Sequence, residues 1–103
     1  MPVHFFAQFE PSPDSAVEFR CELLRVVQST GAEPGCRSIR VFESLRQPVA
    51  FAMHSEWEDE AAFELHAQLA HTVRFLAAAG RILGHPVQGL RASEITEAPK
   101  QMH

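Results

Sequence analysis

The sequence predicts an α+β domain whose elements follow the order β-α-β-β-α-β. Three observations predict it: apolar residues alternate near the start of the chain, two long segments repeat them at helical spacing, and a short turn joins two adjacent strand-like segments. This is the split βαβ, or ferredoxin-like, order, in which two helices cover one face of a four-stranded antiparallel sheet. A chain of 103 residues has the length of one domain. We expect residues 1–95 to form that domain and residues 96–103 to be a frayed tail.

The first half of the chain predicts a strand followed by a helix. Residues 3–10 alternate in polarity, as a half-buried strand does. Four apolar side chains then share one face of this strand: Val3, Phe5, Ala7 and Phe9. Turn residues PSPDS follow, and Pro13 suits the first position of a helix. Apolar residues recur at helical spacing from there to about Thr30, where Gly31 and the turn EPG end the helix.

The second half of the chain predicts a hairpin followed by a second helix. Residues 37–45 and 49–57 have strand character, and the turn RQP joins them. Asp59 suits the N-cap of the second helix, close to acidic residues in its first turn. We expect this helix to continue to about Ala79 and to end at Gly80, because glycine commonly follows the last helical residue.

The two faces of the predicted sheet differ in character. A last strand at about residues 87–95 completes the sheet. Strand parity places the more apolar set beneath the helices: Val49, Phe51, Met53 and Trp57. The opposite face carries a smaller apolar set: Phe6, Phe42, Ala50 and Ala52. Because a half-apolar open sheet face usually marks an interface, we expect a symmetric homodimer packed through this face.

Composition excludes several classes of protein. A net charge of −4 and the lack of a Lys/Arg-rich run give no reason to expect nucleic acid as a partner. No apolar run approaches the ~18 residues of a membrane helix, and the first residues lack the pattern of a signal peptide. Cys21 and Cys36 have no CxxC spacing. We therefore expect a cytoplasmic protein whose two thiols are reduced and unreactive.

A histidine interrupts the apolar stripe of the second predicted helix. Written as one helix, the segment WEDEAAFELHAQLAHTVRF aligns five side chains: Ala62, His66, Leu69, Val73 and Leu76. Trp57 faces the same interior by strand parity, and Met53, Phe63 and Leu69 are expected to share that space. One interpretation is a core in which Trp57 and His66 each find one hydrogen-bond partner. The other is a mostly apolar pocket with His66 as its reactive group.

The spacing of the histidines in the second predicted helix does not predict a metal site. His66 and His71 are five residues apart, which separates them by about 140° on one helix, whereas shared ligation favours a spacing of three or four. We therefore predict no metal and no other cofactor. His71 is expected at the mouth or rim of the pocket, where it could contact a substrate, and His54 on the dimer face.

Three stretches together resemble the antibiotic biosynthesis monooxygenase family: EPGC at 33–36, SEW at 55–57, and W-x5-F-x2-H-x4-H over 57–71. The resemblance implies a dimeric α/β barrel and cofactor-free oxygenation of quinols or polycyclic phenols. The chain departs from the family pattern at Ser55, where the family often has Glu, and at Ala70, where it often has Pro. It also contains no tyrosine, which oxygenases of this type can use.

Three functional hypotheses follow. The first is a cofactor-independent monooxygenase, in which His66 is the catalytic base because imidazole titrates near neutrality, and Trp57 stacks on the substrate ring. The second is an isomerase or lyase of a small carbonyl metabolite, in which His66 would move a proton. The third is a non-catalytic dimeric module that binds a small ligand or a protein.

Overall fold

The computed structural model describes residues 1–95, so the expected tail at 96–103 lies outside the described residues. Its seven main elements, in chain order, are β1 (Val3–Phe9), α1 (Ala16–Gly31), β2 (Cys36–Glu43), β3 (Phe51–Trp57), α2 (Glu60–Gln68), α3 (Ala70–Leu83) and β4 (Gly89–Ala92). The four strands form one antiparallel sheet in the order β2-β3-β1-β4. The predicted ferredoxin-like fold is thereby confirmed, with three helices in place of two. Among the described residues, no helix has both the length and the apolar character that crossing a bilayer requires.

The core lies between the helices and the face of the sheet that strand parity predicted. Alternate residues of β1 and β3 are buried there, and Phe9 meets Phe19 of α1 with ring centroids 5.0 Å apart. A second, smaller cluster at the other end contains Val3, Trp57 and Phe63. The alternation in β1 and β3 therefore correctly identified the buried face.

The second predicted helix differs from the structure because it is interrupted at Leu69. The Asp59 cap is confirmed, since its carboxylate accepts a hydrogen bond from the Ala62 N–H at 2.9 Å. Leu69, however, has extended backbone (ψ 151°), and α3 begins at the next residue. The predicted continuous stripe is therefore wrong at this point, and Val73 beyond it is exposed.

The end of this helical region also differs from the prediction. α3 continues through Gly80 to Leu83, and Gly84 adopts the left-handed conformation (φ 80°) that ends it. A glycine inside a helix costs only about 1 kcal/mol, which the surrounding packing can offset. The terminal glycine is thus the next one along the chain, and β4 is shorter than the predicted 87–95.

The opposite face of the sheet is open, as predicted. Phe6 and Phe42 are 45% and 54% exposed on it. His4 and His54 lie beside Phe6, with His4 Nδ1 2.9 Å from His54 Nε2. One nitrogen of this pair must donate and the other accept. The face thus combines exposed aromatic rings with a pair of histidines.

Candidate active site

A cavity of about 260 Å³ lies between the helices and the sheet. Its walls come from α1, the sheet, α2, α3 and the segment before β4, and they are mostly apolar. His66 is the ionisable side chain in this lining as far as residues 1–95 show. The lining residues are Phe5, Val26, Thr30, Ile39, Met53, Phe63, His66, Ala67, Thr72, Phe75, Leu76, Val87 and Gly89.

His66 is oriented by a carboxylate that the sequence reasoning missed. Its Nδ1 lies 2.8 Å from Oε2 of Glu33, and the Thr72 hydroxyl lies 3.2 Å from the same nitrogen. An ionised carboxylate can only accept hydrogen bonds, so Nδ1 carries the proton and Nε2 is the basic nitrogen. Within residues 1–95, Nε2 has no hydrogen-bond partner. His66 therefore has one unpaired ring nitrogen among the described residues, and its side chain lines the cavity.

His71 shares the same carboxylate oxygen. Its Nε2 lies 2.6 Å from Glu33 Oε2, although the sequence placed His66 and His71 too far apart to meet. That geometric argument was wrong because it assumed one continuous helix. The extended backbone at Leu69 changes the direction in which the following side chains point. His71 is not part of the cavity lining. Its ring centroid lies 6.2 Å from that of His66.

Glu33 occupies a turn between α1 and β2, held in place by backbone contacts. Its N–H donates to the Thr30 carbonyl at 3.0 Å, and its carbonyl accepts from Cys36 N–H at 3.2 Å. Gly35, in the same turn, has φ 102° and accepts a bond from the Glu58 N–H at 2.9 Å. In the sequence, Glu33 is the first residue of the EPG turn. This turn was considered only for the backbone conformations that its proline and glycine favour. The carboxylate before them had no evident partner along the chain.

Trp57 supports His66 and does not face the cavity. It is 1% exposed, and its Nε1–H donates to Ser55 Oγ at 2.9 Å. The His66 ring packs against it with centroids 4.5 Å apart. This burial disagrees with the expectation that Trp57 stacks on a substrate ring. Ser55, a departure from the family pattern, is here the partner of the indole N–H.

The predicted substrate-binding residues divide into two groups. Met53 and Phe63 line the cavity, whereas Leu69 and His71 do not.

Arg91 of β4, which the sequence reasoning did not single out, lies over the Phe63 ring at 4.7 Å from its centroid. Its guanidinium also donates to Glu60 at 3.3 Å and Glu64 at 2.5 Å on α2. Arg91 therefore joins β4 to α2 across the Phe63 wall of the cavity.

The two cysteines differ in their exposure to solvent. Cys21 is exposed, whereas burial raises the pKa of the half-buried Cys36 thiol, and the Glu33 charge raises it further. A higher pKa leaves less reactive thiolate near neutrality. We expect iodoacetamide to alkylate Cys21 several-fold faster than Cys36 in the native protein, as followed by peptide mass spectrometry. Faster labelling of Cys36 would contradict this account, and both should react alike after unfolding.

Comparison with known proteins agrees with this fold. The family model "Antibiotic biosynthesis monooxygenase" matches residues 2–78. The chain is 32% identical over 91 residues to "Putative monooxygenase YcnE" of Bacillus subtilis, covering 88% of this chain and 95% of that protein. The structure of Rv0793 from Mycobacterium tuberculosis superimposes with a TM-score of 0.85 at 28% identity, over 95% of this chain and 99% of that one. PA3566 from Pseudomonas aeruginosa gives 0.81 at 25% identity, over 92% and 95%. The chain belongs to the antibiotic biosynthesis monooxygenase family.

Proposed function

We propose that this protein is a cofactor-independent monooxygenase acting on a quinol or small phenol. The observation that carries the proposal is the arrangement of His66, whose Nδ1 is held by Glu33 while its other nitrogen is left for an apolar cavity. A base in an apolar cavity suits a reaction that must deprotonate a phenol and keep water from a peroxide. Membership of a family whose relatives are named as monooxygenases supports the same reaction.

Cavity size and polarity favour a substrate with one or two rings. The cavity volume of about 260 Å³ is just below the ~300–1,000 Å³ typical of small-molecule sites. Thr30 also lines the cavity, and its buried hydroxyl has no hydrogen-bond partner within the described residues. Rotation of the Thr30 side chain toward the cavity would let a second oxygen on the substrate satisfy this hydroxyl. A naphthohydroquinone, with two hydroxyl groups on two fused rings, fits both features.

The reaction balances without a cofactor. His66 Nε2 takes the phenolic proton, and the resulting phenolate passes one electron to dioxygen. The two radicals combine at a ring carbon to give a peroxide. The O–O bond then breaks as that carbon loses its hydrogen, which leaves a new carbonyl on the ring. The departing oxygen is released as water, so a hydroquinone and O₂ yield a hydroxyquinone and H₂O.

The test is oxygen consumption by metal-stripped protein with a panel of naphthohydroquinones and larger polycyclic phenols. We expect saturable uptake above autoxidation, strongest for the two-ring substrates. Glu33→Gln should lower kcat with little change in KM, because Glu33 positions the base and does not line the cavity. Uptake no faster than autoxidation across the panel would reject the oxygenase. Turnover of a small carbonyl compound without oxygen would establish the isomerase or lyase instead.

We further propose that the protein forms a homodimer through the open sheet face. Its exposed phenylalanines, Phe6 and Phe42, would be removed from water by packing against a second copy. The expected partners are thus a second copy of the chain and a small aromatic substrate.

Phe42→Glu is expected to convert the dimer to a monomer, because pairing would bury a charge on each copy. Light scattering coupled to size-exclusion chromatography measures the mass. Val17→Glu, on the outer surface of α1 where Val17 is 76% exposed, is the matched control and should remain dimeric. A Phe42→Glu variant with the wild-type dimer mass would locate the interface elsewhere.

A further inference from the structure

Three metal-ligand atoms converge beside the cavity. His66 Nδ1 and His71 Nε2 approach the same oxygen of Glu33 at 2.8 and 2.6 Å, and one ligand atom from each residue lies within 4.8 Å of the others. The convergence depends on the interruption at Leu69, where neither proline nor glycine breaks the helix. Ligands from two helices and a distant turn are therefore brought to one point.

We propose that Glu33, His66 and His71 form a binding site for one divalent transition-metal ion of the zinc, cobalt(II) and iron(II) class. Two imidazole nitrogens and one carboxylate are a donor set that such ions take, with positions left for water. The set does not suit Mg²⁺ or Ca²⁺, which prefer oxygen ligands. The single carboxylate offsets half of the ion's charge.

Small side-chain movements suffice to admit the ion. Metal–ligand bonds of ~2.0–2.2 Å in a tetrahedral site place ligand atoms about 3.4 Å apart. The nitrogens now hydrogen-bond the carboxylate at 2.6–2.8 Å, so each must withdraw from the oxygen by less than 1 Å. The two nitrogens lie no more than 4.8 Å apart, so they need to approach each other by at most about 1.4 Å. The side chains of Glu33 and His66 are 10% and 14% exposed, and that of His71 is 29% exposed. His71 thus gives the ion a route from solvent to a site that is otherwise enclosed.

Metal binding would change the chemistry of His66. An ion on Nδ1 requires the neutral ring to carry its proton on Nε2, so that Nε2 becomes a donor. The ion would therefore remove the base proposed for the metal-free oxygenase. The site itself does not depend on that reaction, because ion binding is measured without a substrate.

Cobalt(II) titration of the metal-stripped full chain tests the site directly. We expect one equivalent per chain to produce the visible absorption of a four-coordinate nitrogen–oxygen site. Zn²⁺ should displace it, and excess Mg²⁺ should not. His71→Gln should weaken binding by at least about 10-fold, since loss even of an outer-shell partner often costs that much. Failure of wild-type protein to bind Co²⁺ would overturn the proposal.

A matched control separates this site from the other pair of histidines. His54→Gln removes the contact with His4 on the open face, and it should leave Co²⁺ binding unchanged. Loss of the signal in His54→Gln, with retention in His71→Gln, would overturn the assignment. Nitrogen NMR of the histidine rings, recorded on wild-type protein with Zn²⁺, does not depend on whether a variant folds. The resonances of His66 and His71 should shift, and unshifted resonances would refute their role as ligands. Oxygen uptake that fails while Co²⁺ binds would reject only the oxygenase.

Discussion

His66→Leu is expected to abolish oxygen uptake while leaving the chain folded. General-base catalysis contributes roughly 10²–10⁴-fold, so kcat should fall at least about 100-fold. Removing His66 leaves Glu33 hydrogen-bonded to His71, and the new leucine can pack on Trp57. The lost charge-assisted hydrogen bond, about 1.5–3 kcal/mol, is then offset by roughly 1.5–3 kcal/mol from burying an apolar side chain. Oxygen-electrode kinetics and urea unfolding measure the two effects.

His85→Leu is the matched control for His66→Leu. His85 is exposed after α3, where its ring makes one hydrogen-bond contact among the described residues, with the neighbouring Pro86 carbonyl. This variant makes the same chemical change away from the cavity, and it should keep the wild-type rate. A folded His66→Leu protein that turns over at the wild-type rate would show that His66 is structural. The proposed mechanism would then be wrong.

Gly35→Ala is expected to cause the largest loss of stability, about 2–5 kcal/mol in the free energy of unfolding. Gly35 has φ 102°, where an L-residue costs roughly 1–2 kcal/mol. A Cβ there would also lie 2.7 Å from the Cβ of Ala62, and such overpacking typically costs about 1–3 kcal/mol. The same turn carries Glu33, so oxygen uptake should fall as well. Urea denaturation followed by circular dichroism measures the stability change.

Gly84→Ala separates the conformational cost of a positive φ from the cost of the steric contact with Ala62. Gly84 also has positive φ, at 80°, but a Cβ there would meet no atom within 4 Å. It should therefore lose only the conformational part, roughly 1–2 kcal/mol. Adding Ala62→Gly to Gly35→Ala should recover part of the contact cost. Equal losses for the two single variants would show that the turn does not press closely on α2.

Most of the fold could be predicted from local patterns. Alternation in the strands identified the buried face, and Asp59 identified the start of α2. The break at Leu69 could not be predicted, because the residues around it are ordinary helix formers. It is stabilised in part by a contact between His71 and Glu33, 38 residues apart in sequence. Local propensity contains no information about such a tertiary contact.

Sequence patterns predicted some residues of the candidate site and missed others. Helical spacing placed His66 toward the sheet, and it does line the cavity with Met53 and Phe63. Strand parity correctly placed Trp57 in the interior, yet it could not show that the His66 ring would cover the indole. Glu33 was missed because the direction of a side chain in a turn is not encoded by periodicity. Catalytic roles for His66 and Trp57 stay predictions.

Single turnover under oxygen-18 gas tests the central claim most directly. Metal-stripped protein is mixed with one equivalent of a naphthohydroquinone, and the reaction is quenched before the carbonyl oxygens exchange with water. Mass spectrometry then measures the mass of the product. The proposed reaction predicts a hydroxyquinone that carries one heavy oxygen atom, with the other in water. A quinone without heavy oxygen, formed together with hydrogen peroxide, would show simple oxidation and would contradict a monooxygenase.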